Sequence, residues 1–328
     1  MAALGAINCL YGARNTGVPT CFCDPKFIQG ALLVPKGTTL TTTTVAAFQT
    51  ALSSLVYNAS KTSRGYPIYD FEAPKDSTEA KTIQTMPTGQ KHVVREGYND
   101  WSFQFVNGGL SLNQALRAFN GINWDFYFVD NDPQGQKIFG ITGATANTLQ
   151  AFPSSGGFFW TDPWKLNDGS KITEYMLQFV FNTKYANDLV NYIQLPTTFD
   201  FPTQLPGLND VVVTASATVN ATAKNFNISL VSPTGVDIGA LNSTALSGAG
   251  VSNWTASVVA SGLPIVVSTS TWVPSTVAGV PGYFTLVLAT TNYPTPPAPV
   301  YINLVSATTL QAAGILYEST GALSIASV

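Results

Sequence analysis

The chain has 328 residues, of which 10% are charged and 45% hydrophobic, with a formal net charge of −3. That length accommodates two ordinary domains with their own cores. The charge balance excludes bulk attraction to nucleic acid. A surface so poor in charge, against a usual share of about 25%, points to a protein that hides much of itself in an assembly, or to a robust extracellular β-domain.

No apolar run approaches the roughly 20 residues of a membrane helix, so no membrane insertion is expected. The opening MAALGAINCLYGARN has no basic residue ahead of its apolar part and reads poorly as a secretory signal. Glycosylation is therefore not expected at the Asn58, Asn220, Asn227, Asn242 and Asn253 sequons. Cys9, Cys21 and Cys23 are odd in number and match no zinc spacing, so they read as reduced, partly buried thiols.

About 45 irregular residues come first, with ALLVPKGTTLT as one strand entering a Thr-rich loop. Val45, Phe48, Leu52, Leu55 and Val56 then fall at helical spacing behind a Thr44 cap, predicting a short amphipathic helix over 45–57. RGYPIYDFEAPKDSTEAKTIQTMPTGQKHVVREG reads as strand, loop and strand. In GYNDWSFQFVNGG, Trp101, Phe103 and Phe105 alternate with Ser102 and Gln104, so the aromatics share one face of a strand. LSLNQALRAFNGI follows as a second short helix, with Ser111 as its cap, Leu110, Leu112, Leu116 and Phe119 on one face, and Gly121 at its end. WDFYFVDNDPQGQKIFGITG reads as a hairpin. NDG at 167–169 turns into a last long strand in which Tyr175, Leu177, Phe179 and Phe181 alternate. YANDLVNYI closes the region as a short helix or strand.

Composition changes near Leu205. Only Asp210, Lys224, Asp237 and Glu318 are charged in 206–328, while 29 charges precede. LPTTFDFPTQLPGLND, with Pro196, Pro202 and Pro206, reads as an extended linker. Beyond it, VVVTASATV, KNFNISLVS, WTASVVAS, PIVVSTSTWVP, GYFTLVLATT and VYINLVSA are short strands separated by small-residue turns, with no helix pattern. The expected fold is mainly β. An α+β sandwich or barrel with two short helices and an irregular N-terminal arm occupies 1–205, and an immunoglobulin-like β-sandwich without a disulfide occupies 206–328.

Enzyme signatures are sparse. His92 is the only histidine and lies in a predicted strand, and no G-x-S-x-G elbow, phosphate loop or dinucleotide fingerprint occurs. Asp125, Asp130, Asp132, Asp162 and Asp168 supply candidate carboxylate pairs for glycoside hydrolysis, although Asp and Asn at hairpin turns explain them as well. DNDPQG shares the first residues of a calcium loop and lacks the rest. Trp101, Trp124, Trp160 and Trp164, with Tyr98 and Tyr127, read as core or as a sugar-stacking platform. Lys75, Lys81, Lys91 and Arg95 read as a solvated face or inter-subunit ion pairs. No catalytic, cofactor-binding or metal-binding residue is assigned, and no cofactor is expected.

GQKHVVREGYNDWSFQFVNGGLSLNQALRAFNG, DFYFVDNDPQGQKIFGITG and WKLNDGSKITEYMLQFVFNT together resemble, in layout, the tail-tube (major tail) subunits of bacteriophages. The resemblance implies a tail-tube-type sandwich flanked by a helix, with six copies closing into stacked rings. It implies self-association, contacts with other virion proteins, and genomic DNA passing the channel without sequence-specific contacts. It also implies assembly in the host cytoplasm, residence in the virion, and an outer immunoglobulin-like domain at 206–328. Open sheet edges would pair between copies. A capsid decoration or baseplate protein, an adhesin-type carbohydrate-binding protein and a glycoside hydrolase are the alternatives.

Overall fold

The computed structural model describes residues 28–105, 109–130, 136–154, 157–165, 174–182, 190–215, 224–233, 235–249, 252–258, 262–294 and 299–326. They belong to two units, Met1–Gly207 and Leu208–Val328. The chain is mainly β.

In the first unit, β1 (Ile28–Pro35) turns into β2 (Thr39–Thr41), so the described part of the opening 45 residues is regular, while residues 1–27 of the expected irregular arm lie outside the described residues. Helix α1 (Val45–Val56) follows, and the Thr44 side chain accepts from the Ala47 N–H at 3.1 Å. Phe48, Leu52 and Val56 are its buried stripe, as the spacing predicts. Next come β3 (Tyr66–Tyr69), β4 (Glu72–Asp76), β5 (Thr82–Thr85), β6 (Lys91–Arg95) and β7 (Tyr98–Phe105). The span read as strand, loop and strand thus holds two further strands, β4 and β5.

Helix α2 (Gly109–Arg117) starts earlier than expected, which places Ser111 in its first turn. Its inward positions are Asn113 and Leu116, while Leu110 is exposed. Gly121 ends the connection at φ +78°, a left-handed position that suits glycine. Then come β8 (Trp124–Asp130), β9 (Lys137–Thr142), β10 (Thr148–Gln150), β11 (Phe158–Thr161), β12 (Tyr175–Asn182) and β13 (Val190–Gln194).

One sheet runs β2-β10-β9-β8-β1-β3, with β13 added to β9, and a second runs β11-β12-β7-β4. Their inner faces share one core, to which the first sheet brings Phe126, Phe128 and Phe139 and the second Phe103, Phe179 and Phe181. Strand β12 buries Tyr175, Leu177, Phe179 and Phe181 in strict alternation, as its pattern predicts. Strand β8 departs from alternation and is buried along its whole length, because both of its faces are covered.

The proline-rich join is not an exposed linker. Leu195, Phe199, Phe201 and Leu205 are buried, and the Phe199 and Phe201 rings meet edge to face at 5.0 Å. Asp200 caps the short helix α3 (Phe201–Gln204). Gln136 braces it, donating to Asp200 Oδ1 at 3.1 Å and accepting from the Phe201 N–H at 2.7 Å. The Tyr69 and Tyr57 hydroxyls donate to the Leu205 and Pro206 carbonyls, each at 3.0 Å. The prolines are interleaved with phenylalanines, and burial of those rings decides the outcome.

The second unit contains β14 (Asn209–Ala215), β15 (Asn225–Val231), β16 (Gly248–Ala249), β17 (Trp254–Val258), β18 (Pro264–Ile265), β19 (Val267–Val273), β20 (Tyr283–Leu288) and β21 (Pro299–Leu304). Helix α4 (Ala307–Ala312), which no sequence pattern announced, precedes β22 (Tyr317–Ser319) and β23 (Leu323–Ala326). Sheets of order β16-β19-β20-β15-β14-β22 and β18-β17-β21-β23 enclose a core of Phe226, Ile228, Trp254, Phe284, Leu286 and Ile302. Asp237, one of the few charges here, accepts from the Gly282 N–H at 2.8 Å and the Ala240 N–H at 3.3 Å, joining two loops.

Two outcomes test this packing. Trp101 is half-buried against Phe128 and Phe181, so Trp101→Ala is expected to cost about 3 kcal/mol in urea unfolding. Gln104→Ala, on the outer face of the same strand, is expected to stay within about 0.5 kcal/mol.

The second outcome concerns acid. The Thr203 hydroxyl holds the Asp200 carboxyl below its ordinary range, with Gln136 adding to the effect against some desolvation. A depressed pKa stabilises the fold above the unfolded value of about 3.9, and that contribution is lost as pH falls through the folded value. Asp200→Ala should therefore flatten the acid limb of a stability–pH curve. An unchanged limb would show that the cap does not secure the join.

Candidate functional site

The most exposed feature of the first unit grows directly from its core. Strands β4 and β7 pair with a bulge between Glu72 and Lys75, and the ladder continues through Ser77 N–H to Asp100 O at 2.8 Å and Glu79 N–H to Tyr98 O at 2.9 Å. Beyond that root, β5 and β6 pair only with each other as a two-stranded arm. Every residue from Glu72 to Glu96 is exposed. Gly97 allows the root to close, since a Cβ there would lie 1.9 Å from the Glu79 carbonyl oxygen. Arg95 pairs with Glu79, and Lys81 pairs with Glu96 at 2.9 Å. These cations therefore have partners within their own chain. Farther out, Ile83 stands opposite Val93, and both are more than half exposed, as is Val94.

His92 lies on this arm opposite Gln84 and is exposed. Of the proposed carboxylates, Asp125, Asp130 and Asp162 lie among the described residues, and each has its own setting. Asp125 is buried in β8, where one carboxylate oxygen accepts from the Gly37 N–H at 2.7 Å and the other from the Ser154 N–H at 3.1 Å. It satisfies the buried Ser154 amide, which would otherwise be stranded, and anchors the Gly37 turn. Asp130 is buried opposite the buried Lys137 on β9. Asp162 follows β11, in the other sheet. Asp132, Asp168 and the three cysteines lie outside the described residues, as does most of DNDPQG. Among the described residues, no three His, Cys, Asp or Glu side chains cluster as metal ligands.

The aromatic candidates separate. Trp101, Trp124 and Trp164 pack on or in the core, and Tyr127 is fully buried, donating to the Thr38 and Leu149 carbonyls at 3.1 and 3.0 Å. Burial pushes the Tyr127 phenol up, with the Asp125 charge adding to it, so the hydroxyl stays a donor. Trp160 alone of the four tryptophans is largely exposed, beside Phe158 two residues earlier on β11. The alternation FFW carried that signal, and sequence reasoning passed over Phe158.

Each edge of the four-stranded sheet is interrupted at one place. On β11, the Asn120 side chain takes both the N–H and the carbonyl of Thr161, at 2.8 and 2.9 Å, and Asn113 donates to the Asp162 carbonyl at 2.9 Å. On β4, Pro74, the bulge and flanking charges interrupt the ladder. The outer face of this sheet carries Glu72, Asp100 and Glu174 against Lys75 and Lys165, with Gln178 donating to both Asp100 oxygens at 2.8 and 2.9 Å and Gln104 donating to Glu174. The face is mixed: polar along β4 and β7, and apolar along β11 and β12, where the exposed Phe158 and Trp160 stand beside Val180 and Gln178.

No protein-family model, curated protein or solved structure matches this chain.

Asp125 distinguishes scaffold from catalyst. Asp125→Ala should cost about 1–3 kcal/mol in thermal unfolding, because the buried Ser154 N–H loses its acceptor and the Gly37 turn loses its anchor. A hydrolase carboxylate would instead leave the melting curve in place.

Proposed function

We propose that this chain is a structural virion subunit of tail-tube type, which assembles with copies of itself and carries no catalytic activity. The observation that carries the reading is the β5–β6 arm. A lone two-stranded hairpin is marginal in water, and this one leaves Ile83, Val93 and Val94 uncovered. Such an arm gains stability when a neighbour covers it, and its unpaired backbone groups offer that neighbour a strand to join. Rings of copies, six in the arrangement that the resemblance implies, would supply the neighbour, and ring stacking would repeat the contact.

The outer face of the four-stranded sheet supports the same reading. Its three carboxylates, Glu72, Asp100 and Glu174, outnumber Lys75 and Lys165, a slight excess that would limit adsorption of a polyanion such as genomic DNA. The second unit fits an immunoglobulin-like sandwich worn on the outside. Its two sheets share a core without a disulfide, and it has few charges for specific contacts. A second reading, a carbohydrate-binding surface protein, draws on the exposed Phe158 and Trp160 pair.

Negative-stain microscopy and sedimentation test the proposal. The intact chain should form rings or tubes, and removal of 208–328 should leave them intact. Replacing residues 80–96 by a tight turn should leave a folded protein that no longer stacks. A chain that stays monomeric at every concentration and binds polysaccharide would overturn the assembly reading in favour of the second.

A further inference from the structure

The four-stranded sheet of the first unit carries a pair of aromatic rings on the edge opposite β4. Phe158 and Trp160 are two residues apart on β11, so both leave the same side of the strand, about 7 Å apart along it. Each is 43% exposed, while Phe159 and Thr161, which point the other way, are fully buried. Val180 and Gln178 stand directly across from them on β12, and Asp100 stands across from Val180 on β7. The Gln178 amide nitrogen donates to both Asp100 oxygens, at 2.8 and 2.9 Å. That contact fixes the carboxylate and leaves the Gln178 side-chain oxygen facing away from it. Within two strand spacings, about 10 Å, the face passes from two apolar rings to a set of fixed acceptors.

We propose that this face binds a neutral glycan, stacking sugar rings of one chain on Phe158 and Trp160. The inference rests on the carbohydrate-binding reading above and names the ligand class for that pair. A pyranose ring has a C–H face and a rim of hydroxyls. The polarised C–H groups are drawn to the negative face of an aromatic ring. The rim hydroxyls donate to Asp100, whose carboxylate accepts and cannot donate. Hydrogen bonds to a charged acceptor are the stronger kind. The same rule sets the class, because the carboxylate of a uronate or sialate also lacks a proton to give and would meet Asp100 as acceptor against acceptor. An apolar protein surface laid over the rings would cover the Asp100–Gln178 pair and leave lone pairs unmet, a cost that a hydroxylated ligand avoids.

The test is isothermal calorimetry on the intact chain with cellohexaose, mannohexaose and laminarihexaose, and with hexagalacturonate as the acidic comparison. At least one neutral sugar should bind saturably, and hexagalacturonate about tenfold or more weakly, at high salt as at low. Trp160→Ala and Phe158→Ala should each weaken the neutral sugar about tenfold or more without shifting the melting temperature. Asp100→Asn should weaken it too, and narrow the gap to hexagalacturonate. Neutral-sugar binding that survives Trp160→Ala would overturn this placement and leave the carbohydrate reading standing. Hexagalacturonate bound as tightly as the neutral sugars would overturn the ligand class. No binding of any of the four sugars would overturn the inference and the carbohydrate reading together.

Discussion

The first unit depends on one packing constraint, that two sheets must close over a layer made mostly of aromatic rings. Phe128 is its centre. Its ring lies 5.2–6.2 Å from those of Trp101, Phe103, Phe126, Phe152, Phe179 and Phe181. Several of these contacts are tilted or edge-on, the arrangement that aromatic quadrupoles favour. Large flat side chains in mutual contact cannot slide by one residue without turning every ring to the wrong face, so the layer also fixes strand register. The alternating aromatics of β7 and β12 serve that end. They set the platform from which the β4–β7 ladder runs out into the arm.

Burying β8 on both faces brings a second problem, because polar backbone groups near it lose water. The solution is local and specific. Asp125 takes the Gly37 and Ser154 amides, and Tyr127 supplies a donor to the Thr38 and Leu149 carbonyls. A carboxylate so placed is spent on structure, with both oxygens occupied by the main chain. The join is closed in the same way, with Gln136 and two tyrosine hydroxyls holding a segment whose prolines donate no N–H of their own.

These particulars mark what could be read from the sequence. Helix α1 and the alternating strands β7, β12 and β20 follow from periodicity, because one face of each meets a core and the other does not. Periodicity cannot say when the second face is also covered, so Asp125 looked like a turn or site residue. Nor can it see partners far along the chain. Asn120 read as the end of a helix, yet its amide closes the edge at Thr161, 41 positions away. The join looked like a linker because proline and composition are local signals, whereas burial of Phe199, Phe201 and Leu205 is not. Of the candidate surface, the aromatic face was legible and the arm was not. A short run such as TIQT has no apolar alternation until KHVVR pairs with it.

The charges complete the argument about the arm. Between Glu72 and Glu96 the chain places Glu72, Asp76, Glu79 and Glu96 against Lys75, Lys81, Lys91 and Arg95, a balanced set in a protein otherwise poor in charge. The root pairs Arg95–Glu79 and Lys81–Glu96 use half of them. Exposed ion pairs contribute little, typically about 0–1 kcal/mol each, so the remaining charges cannot supply the affinity of an assembly contact. In the assembly proposed above, that affinity would come from backbone pairing and from covering Ile83, Val93 and Val94. What balanced charges do supply is selectivity. A neighbour docked out of register would set like charges opposite one another, and one in register would not. An arm with apolar residues alone would adhere indiscriminately. One interleaved with both signs of charge has a preferred alignment, as the proposed assembly of identical copies would require.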